Sequence, residues 1–212
     1  LEWSYNITEE WLRYDDGIYT GESVGNFPLS WAVMFPAEAL TSYEGLYLST
    51  VSMFMPSQSQ GAFGEISIYM GGDAQPGDMV YSQSYEADPA DDFVNYELES
   101  PVLIDPTQNL WIVISNETGY HAAACASNCG DPNSRWLNYT GAWIDMYAAS
   151  SAFNFSWMVR GLLTNASRSG EFVLGDDTMR APELEHYNVY RGTSVDYFEL
   201  IGKTTEKTYF DE

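Results

Sequence analysis

The chain is poor in basic residues. Its 212 residues include 8 Lys and Arg against 31 Asp and Glu, which gives a formal net charge of −23. A surface this acidic repels phosphate backbones and anionic lipid surfaces, and it gains none of the counterion release that drives nucleic-acid binding. The composition therefore argues against nucleic-acid and lipid partners.

Long apolar runs are also missing. No stretch approaches the roughly 20 consecutive apolar residues that a transmembrane helix needs, so no membrane insertion is expected. Leu1 is preceded by no initiator Met and followed by no basic or apolar leader segment, so we interpret it as a processed boundary. A chain of this length with 45% hydrophobic residues is expected to bury a sizeable core and to be globular and soluble.

Cysteine and histidine occur only twice each, and the cysteines are Cys125 and Cys129. Two thiols so close together, with so few histidines, cannot complete a structural zinc site alone. We expect them to form a small disulfide loop, which places the protein in an oxidising compartment outside the cytoplasm. A reduced, buried pair is the alternative.

Helical periodicity is nearly absent, and residues 36–40 form the single candidate helical turn. Strand patterns dominate instead. Residues 65–70 and 79–81 flank a long polar turn, which predicts a β-hairpin, and residues 110–114 are apolar on both faces, which predicts a central strand. About a dozen short strands without alternating helices indicate an all-β fold, an antiparallel jelly-roll β-sandwich with a short C-terminal β segment.

One strand pattern changes phase. Leu46 and Leu48 alternate on one parity, whereas Val51, Met53 and Met55 alternate on the other. Because alternate residues of a strand face opposite sides, this change predicts a β-bulge between the two groups.

The composition changes after Asn165. Small and polar residues between Ala166 and Glu185 are typical of a linker, and three strand-like segments follow at 187–192, 198–202 and 208–211. We therefore predict a sandwich domain over residues 1–165, followed by a linker and a partial β module over residues 166–212.

Several acidic residues fall in turns. Calcium takes six to eight oxygen ligands, and carboxylates in loops supply them. Asp15 and Asp16 in the first turn, and Asp73 and Asp78 in the long hairpin turn, are the candidate ligands of a structural calcium ion. Solvated turns are the alternative for each pair.

Aromatic residues cluster after the cysteine pair. Sugar rings stack on exposed Trp and Tyr while neighbouring polar groups bind their hydroxyls. A turn here carries a candidate ligand-binding patch formed by Arg135, Trp136, Asn138, Tyr139, Trp143 and Asp145. The alternative is that these aromatics face the core, as we expect for Trp31, Trp111 and Trp157.

Catalytic motifs are weak. Residues 21–25 match the G-x-S-x-G pattern, but Asn26-Phe27-Pro28 follows where that motif needs a helix. A disulfide would leave no cysteine thiolate to act as nucleophile. Glycoside hydrolysis needs two carboxylates at a suitable separation, and no acidic triplet alternates along one strand. We therefore expect no enzymatic activity.

Three segments, Trp11–Gly17, Trp31–Pro36 and Asp105–Ile112, resemble the jelly-roll modules of gingipain and haemagglutinin-type bacterial adhesins. The segment Tyr187–Gly192 together with Thr208–Asp211 is similar to the fibronectin type III-like repeat that often follows such modules. The resemblance lacks the Asp-x-Asp-Gly-Asp stretch that the gingipain modules carry near their start.

The resemblance implies a secreted or cell-surface module of a larger bacterial protein, without activity of its own, that commonly carries structural calcium. It implies adhesion to host glycans or to host surface, matrix or haem proteins. Two alternatives remain open: a carbohydrate-active jelly roll, either a binding module or a glycoside hydrolase, and a structural spacer.

Overall fold

The computed structural model of the chain describes residues 9–25, 28–118, 120, 122–127, 131–138 and 140–165, together with the backbone of 187–194 and 197–204. The chain divides into two compact units, residues 7–170 and residues 171–212 with 1–6. In the described part, no helix is long and apolar enough to cross a membrane.

The first unit is built almost entirely from strands. The α-helices among its described residues are both single turns, α1 (Ala37–Leu40) and α2 (Met146–Ala149). Its described strands are β1 (Glu9–Leu12), β2 (Tyr19–Val24), β3 (Leu29–Phe35), β4 (Tyr47–Met55), β5 (Phe63–Met70), β6 (Asp78–Glu86), β7 (Asp92–Leu103), β8 (Leu110–Asn116), β9 (Ala123–Ser127), β10 (Trp136–Asn138), β11 (Trp143–Asp145), β12 (Phe155–Trp157) and β13 (Val159–Thr164).

These strands form three antiparallel sheets. The large sheet has the order β11-β10-β3-β8-β5-β6, the small sheet has the order β1-β13-β4-β7, and a third sheet has the order β12-β9-β2. Every pairing within them is antiparallel. The predicted all-β antiparallel sandwich is confirmed, as is the helical turn before Thr41.

The main core lies between the large and small sheets. Each strand contributes the side chains of one face, because alternate residues point to opposite sides. The buried residues of this core include Trp31, Val33 and Phe35 from β3, Leu48, Val51, Met53 and Met55 from β4, Ile66 and Ile68 from β5, Leu110, Ile112 and Ile114 from β8, and Trp157, Val159 and Leu163 from β12 and β13.

The predicted bulge in β4 is confirmed. Thr50 pairs with Leu162 and Leu48 pairs with Leu163, so Ser49 is the extra residue. Its hydroxyl donates to the carbonyl of Leu162 at 3.3 Å. The extra residue lets Leu48 and Val51, three positions apart, both enter the core.

The predicted hairpin and central strand are also confirmed. β5 pairs with β6 on one side and with β8 on the other, and β8 also pairs with β3. At the open edge of the sandwich, side chains link β6 to β7. The Tyr96 hydroxyl donates to the carbonyl of Glu86 at 2.9 Å, and Gln83 Nε2 donates to the carbonyl of Glu97 at 3.1 Å.

The second unit contains an antiparallel hairpin, β14 (Tyr187–Ser194) paired with β15 (Tyr197–Thr204). Two of the three predicted C-terminal strands are therefore present. The third, at 208–211, and the predicted linker at 166–185 lie outside the described residues.

Two buried glycines should respond differently to alanine. A Cβ at Gly64 would lie 1.9 Å from the Ser115 carbonyl oxygen, whereas one at Gly161 would meet the Leu48 and Ile112 methyls at 2.7 and 3.0 Å. Side chains can shift, but paired backbone cannot. We expect Gly161→Ala to cost about 1–3 kcal/mol and Gly64→Ala to cost more, measured by urea unfolding. Exposed Ser84→Ala is the control, and a Gly64→Ala variant as stable as Gly161→Ala would contradict the prediction.

Candidate functional site

The outer face of the large sheet, which faces away from the small sheet, carries a second apolar cluster. Ala32 and Met34 of β3 and Trp111 and Val113 of β8 are buried there. These residues alternate with the core-facing residues of the same strands. The two central strands are therefore apolar on both faces, and the outer face needs its own cover.

Two tryptophans, together with Tyr69, supply that cover. The Trp136 ring centroid lies 5.2 Å from that of Trp111 and the Trp143 centroid lies 6.1 Å from it, both at an interplanar angle of 57°. Trp111 has no exposed surface and donates its indole N–H to the Gly72 carbonyl at 3.1 Å. Trp136 and Trp143 are half-buried. We name these three residues the tryptophan platform.

Strand register fixes the direction of both half-buried tryptophans. In the β10–β11 hairpin, Leu137 pairs with Ile144, and both side chains pack on the main core. Their neighbours Trp136 and Trp143 must then point to the outer face. The hairpin turn is closed by Asn138, whose Oδ1 accepts from the Gly141 N–H at 2.9 Å, with Gly141 at φ +87°.

A buried arginine secures the hairpin. Arg135 is 4% exposed, and its Nε lies 2.6 Å from Asp145 Oδ1. Its Nη1 donates to Asn154 Oδ1 at 3.1 Å, and its guanidinium lies 4.8 Å from the centre of the Tyr147 ring. Asp145 also caps α2 by accepting from the Tyr147 N–H at 3.1 Å. We therefore assign Arg135 and Asp145 to positioning the platform, since their charges satisfy each other.

Of the patch predicted from sequence, the structure brings Trp136, Asn138 and Trp143 together on the outer face. Tyr139 lies outside the described residues. Trp111 was expected in a core, and it is fully buried, as are Trp31 and Trp157. Its place beneath the two half-buried tryptophans was not predicted, because it depends on the strand order of the large sheet.

An open cleft of about 390 Å³ lies beside the platform, where β3 begins, β8 ends and β10 turns into β11. Its lining is mostly polar and includes one charged residue, Glu117. None of its residues except Asn138 was a candidate in the sequence, because isolated serines give no signal there. The lining residues are Pro28, Leu29, Ser30, Ser115, Asn116, Glu117, Asn138 and Gly141.

Three of the four predicted calcium ligands accept hydrogen bonds from other groups of the protein, and the fourth lies at the start of a strand. The Asp15 carboxylate is buried and receives the Arg160 guanidinium, with Nε at 3.1 Å from Oδ1 and 3.0 Å from Oδ2. Exposed Asp16 accepts from the Ile18 N–H at 2.9 Å. Asp73 accepts from Asn109 Nδ2 at 3.1 Å, and Asp78 begins β6 opposite Met70.

Among the described residues, these carboxylates belong to no group of three or more His, Cys, Asp or Glu side chains that could hold a metal ion. Calcium binding stays a prediction, and Asp15 is better explained as the partner of Arg160.

The Asp15–Arg160 pair yields a stability prediction. The Asp15 side chain is 0% exposed, and Arg160 also stacks 3.7 Å from the centre of the Phe93 ring. Arg160→Met leaves a buried carboxylate uncompensated and should cost about 3–5 kcal/mol in urea unfolding. Adding Asp15→Asn should recover part of this loss. Arg13→Met, which removes an exposed arginine, is the control; a double variant no more stable than Arg160→Met would contradict the interpretation.

Cys125 is buried on β9, whereas Cys129 lies outside the described residues, so the disulfide stays a prediction. Burial, reinforced by the Glu22 carboxylate, raises the pKa of the Cys125 thiol to about 12. A reactive thiolate is thus scarce at neutral pH.

Thiol labelling tests this environment. In a Cys129→Ser variant at about pH 8, the Cys125 thiol should be almost entirely protonated, because burial raises its pKa. We expect labelling by an aromatic disulfide reagent to be slow in the native protein and fast in guanidinium. Rapid labelling of the native variant would contradict the burial of this thiol.

Comparisons with known proteins show a shared fold. No protein-family model matches the chain, and no curated protein sequence matches it at a significant level. Solved structures that are similar include a clostridial cysteine protease, Cwp84, after propeptide cleavage (TM-score 0.57, 10% identity), and the cysteine protease and lectin-like domains of Cwp84, a surface layer associated protein of Clostridium difficile (TM-score 0.52, 11% identity).

Each match covers 74% of this chain, but only 40% and 36% of the respective structures. The chain therefore spans well under half of the length of the proteins it resembles. At this identity the likeness shows the sandwich fold alone. The resemblance to gingipain and haemagglutinin-type modules stays a prediction.

Proposed function

We propose that this chain is a non-catalytic ligand-binding module of a larger secreted or cell-surface protein, and that its tryptophan platform binds glycans. The observation that carries the proposal is the pair of half-buried indoles, Trp136 and Trp143, held over buried Trp111 on the outer face of a sheet. Apolar C–H faces of sugar rings stack on such surfaces, and neighbouring polar groups bind the hydroxyls.

Rigidity strengthens the proposal. Both indoles are fixed by antiparallel register and by contact with Trp111, and the Arg135–Asp145 ion pair joins the two strands that carry them. A surface that is already ordered loses little conformational entropy on binding, so more of the stacking energy appears as affinity.

One polar atom of the platform is unsatisfied. Trp136 Nε1 is buried and has no hydrogen-bond partner among the described residues. Such a donor costs about 1–3 kcal/mol in a folded protein. Within the described part of the chain, the Trp136 ring is therefore held by its contact with Trp111 and not by a hydrogen bond from its nitrogen.

Charge and fold agree with a surface module. The net charge of −23 disfavours nucleic acid. One similar structure contains lectin-like domains of a surface layer associated protein, which supports an extracellular binding role for this fold. The absence of catalysis belongs to the same proposal: Asp145 is engaged by Arg135, and the buried Cys125 thiol is a poor nucleophile.

A glycan array with added calcium and with chelator tests the proposal. We expect binding to glycans and at least a tenfold loss, about 1.4 kcal/mol, in Trp143→Ala or Trp136→Ala. Trp11→Ala is the matched control, because Trp11 is 41% exposed and lies on β1 of the small sheet.

Matrix and haem proteins are included on the same array. Binding to these proteins alone, with no glycan bound, would refute the glycan assignment. Equal loss of glycan binding in Trp11→Ala and Trp143→Ala would remove the platform as the site.

A further inference from the structure

A row of side chains runs from the platform into the cleft. Trp143 pairs with Asn138, Asn138 pairs with Ser30, and Ser30 pairs with Ser115, so four neighbouring strands place one residue each in line. All four are half-buried on the outer face. Since paired strands lie about 4.8 Å apart, the row is about 14 Å long. One extended ligand can therefore contact the indole and the cleft together.

The row offers free hydrogen-bonding groups. Asn138 uses its Oδ1 to accept from Gly141, which leaves its amide nitrogen able to donate. Ser115 Oγ accepts from the Glu65 N–H at 3.0 Å, which leaves its hydroxyl proton available. Ser30 has no side-chain hydrogen bond within the described part of the chain. Such a set of hydroxyl and amide groups matches a ligand rich in hydroxyls.

The charge of the cleft further restricts the kind of ligand that it can bind. Glu117 is its one charged lining residue, and the residue is exposed with its backbone N–H fixed to the Phe63 carbonyl at 3.0 Å. Its carboxylate has no cationic partner among the described residues. Residues 9–165 contain three arginines and no lysine, and Arg135 and Arg160 are already in ion pairs. An anionic sugar would therefore meet an acidic side chain with no cation beside it.

We infer that the cleft beside the platform is a subsite for a sugar unit carrying a free amine, with the protonated amine beside Glu117 and the ring hydroxyls on Ser30, Ser115 and Asn138. This inference rests on the proposed function, because the neighbouring sugar unit stacks on Trp143.

Three matched oligosaccharides test the subsite by calorimetry at a pH that keeps the amine protonated. The probes are cellotriose, the glucosamine trimer with a free amine at carbon 2 of each unit, and the N-acetylated trimer, in which that charge is absent. We expect the amine form to bind about three- to fivefold more tightly than cellotriose, as for an exposed ion pair. Added salt should reduce this advantage.

Two variants that each remove one carboxylate distinguish an effect of Glu117 in the cleft from an effect of the overall negative charge of the protein. Glu117→Gln should abolish the preference for the amine, measured as the ratio of the affinities for the glucosamine trimer and for cellotriose in the same variant. Glu38→Gln removes the same charge from exposed α1, at the other end of β3, and should keep the preference. Equal loss in both variants would refute the subsite, since the preference would then come from overall charge.

The two proposals fail differently in this experiment. Trp143-dependent binding of all three trimers with equal affinity would overturn the amine subsite and leave the glycan platform standing. Absence of binding to every trimer and to the glycan array would overturn the platform and the subsite together.

Discussion

Burial of both faces of β3 and β8 is the constraint on which the rest of the sandwich depends. Trp31 and Ile112 fill the core toward the small sheet, while Met34 and Trp111 need cover on the opposite side. A sheet with two apolar faces must be covered twice. Part of the second cover comes from the side chains of Trp136 and Trp143, which extend over this face from the β10–β11 hairpin at the edge of the same sheet, and Tyr69 adds to it. The tryptophans that cover this face therefore also form its half-buried aromatic surface.

That double role explains the buried polar contacts around the hairpin. Strands of three residues form few ladder hydrogen bonds and are weak alone. Arg135, which is itself buried, compensates by joining half-buried Asp145 to Asn154 through charge-assisted hydrogen bonds. The ion pair holds the hairpin in one position and thereby fixes the two indoles that the hairpin carries. The contacts that pack the hairpin therefore also determine where the platform tryptophans lie.

Local patterns predicted most of the fold and part of the site. Opposite parities on either side of Ser49 revealed the bulge, and an apolar run on both faces placed β8 at the centre of a sheet. The aromatic cluster was visible because Trp136 and Trp143 are close in sequence. The Asp15–Arg160 pair joins residues 145 positions apart, and no local pattern signals it. The line from Trp143 to Ser115 likewise requires three strand registers, which composition cannot supply.

The positions of the few arginines restrict which ligands the platform face can bind. Two of the three arginines within residues 9–165 point inward, one fixing the platform and one neutralising a buried carboxylate. Attraction of anions is therefore a poor basis for recognition on the platform face. What that face offers is indole, amide, hydroxyl and one carboxylate. Stacking and hydrogen bonding must then provide the affinity, and they do so for ligands that are flat and apolar on one side and rich in hydroxyls along the edge.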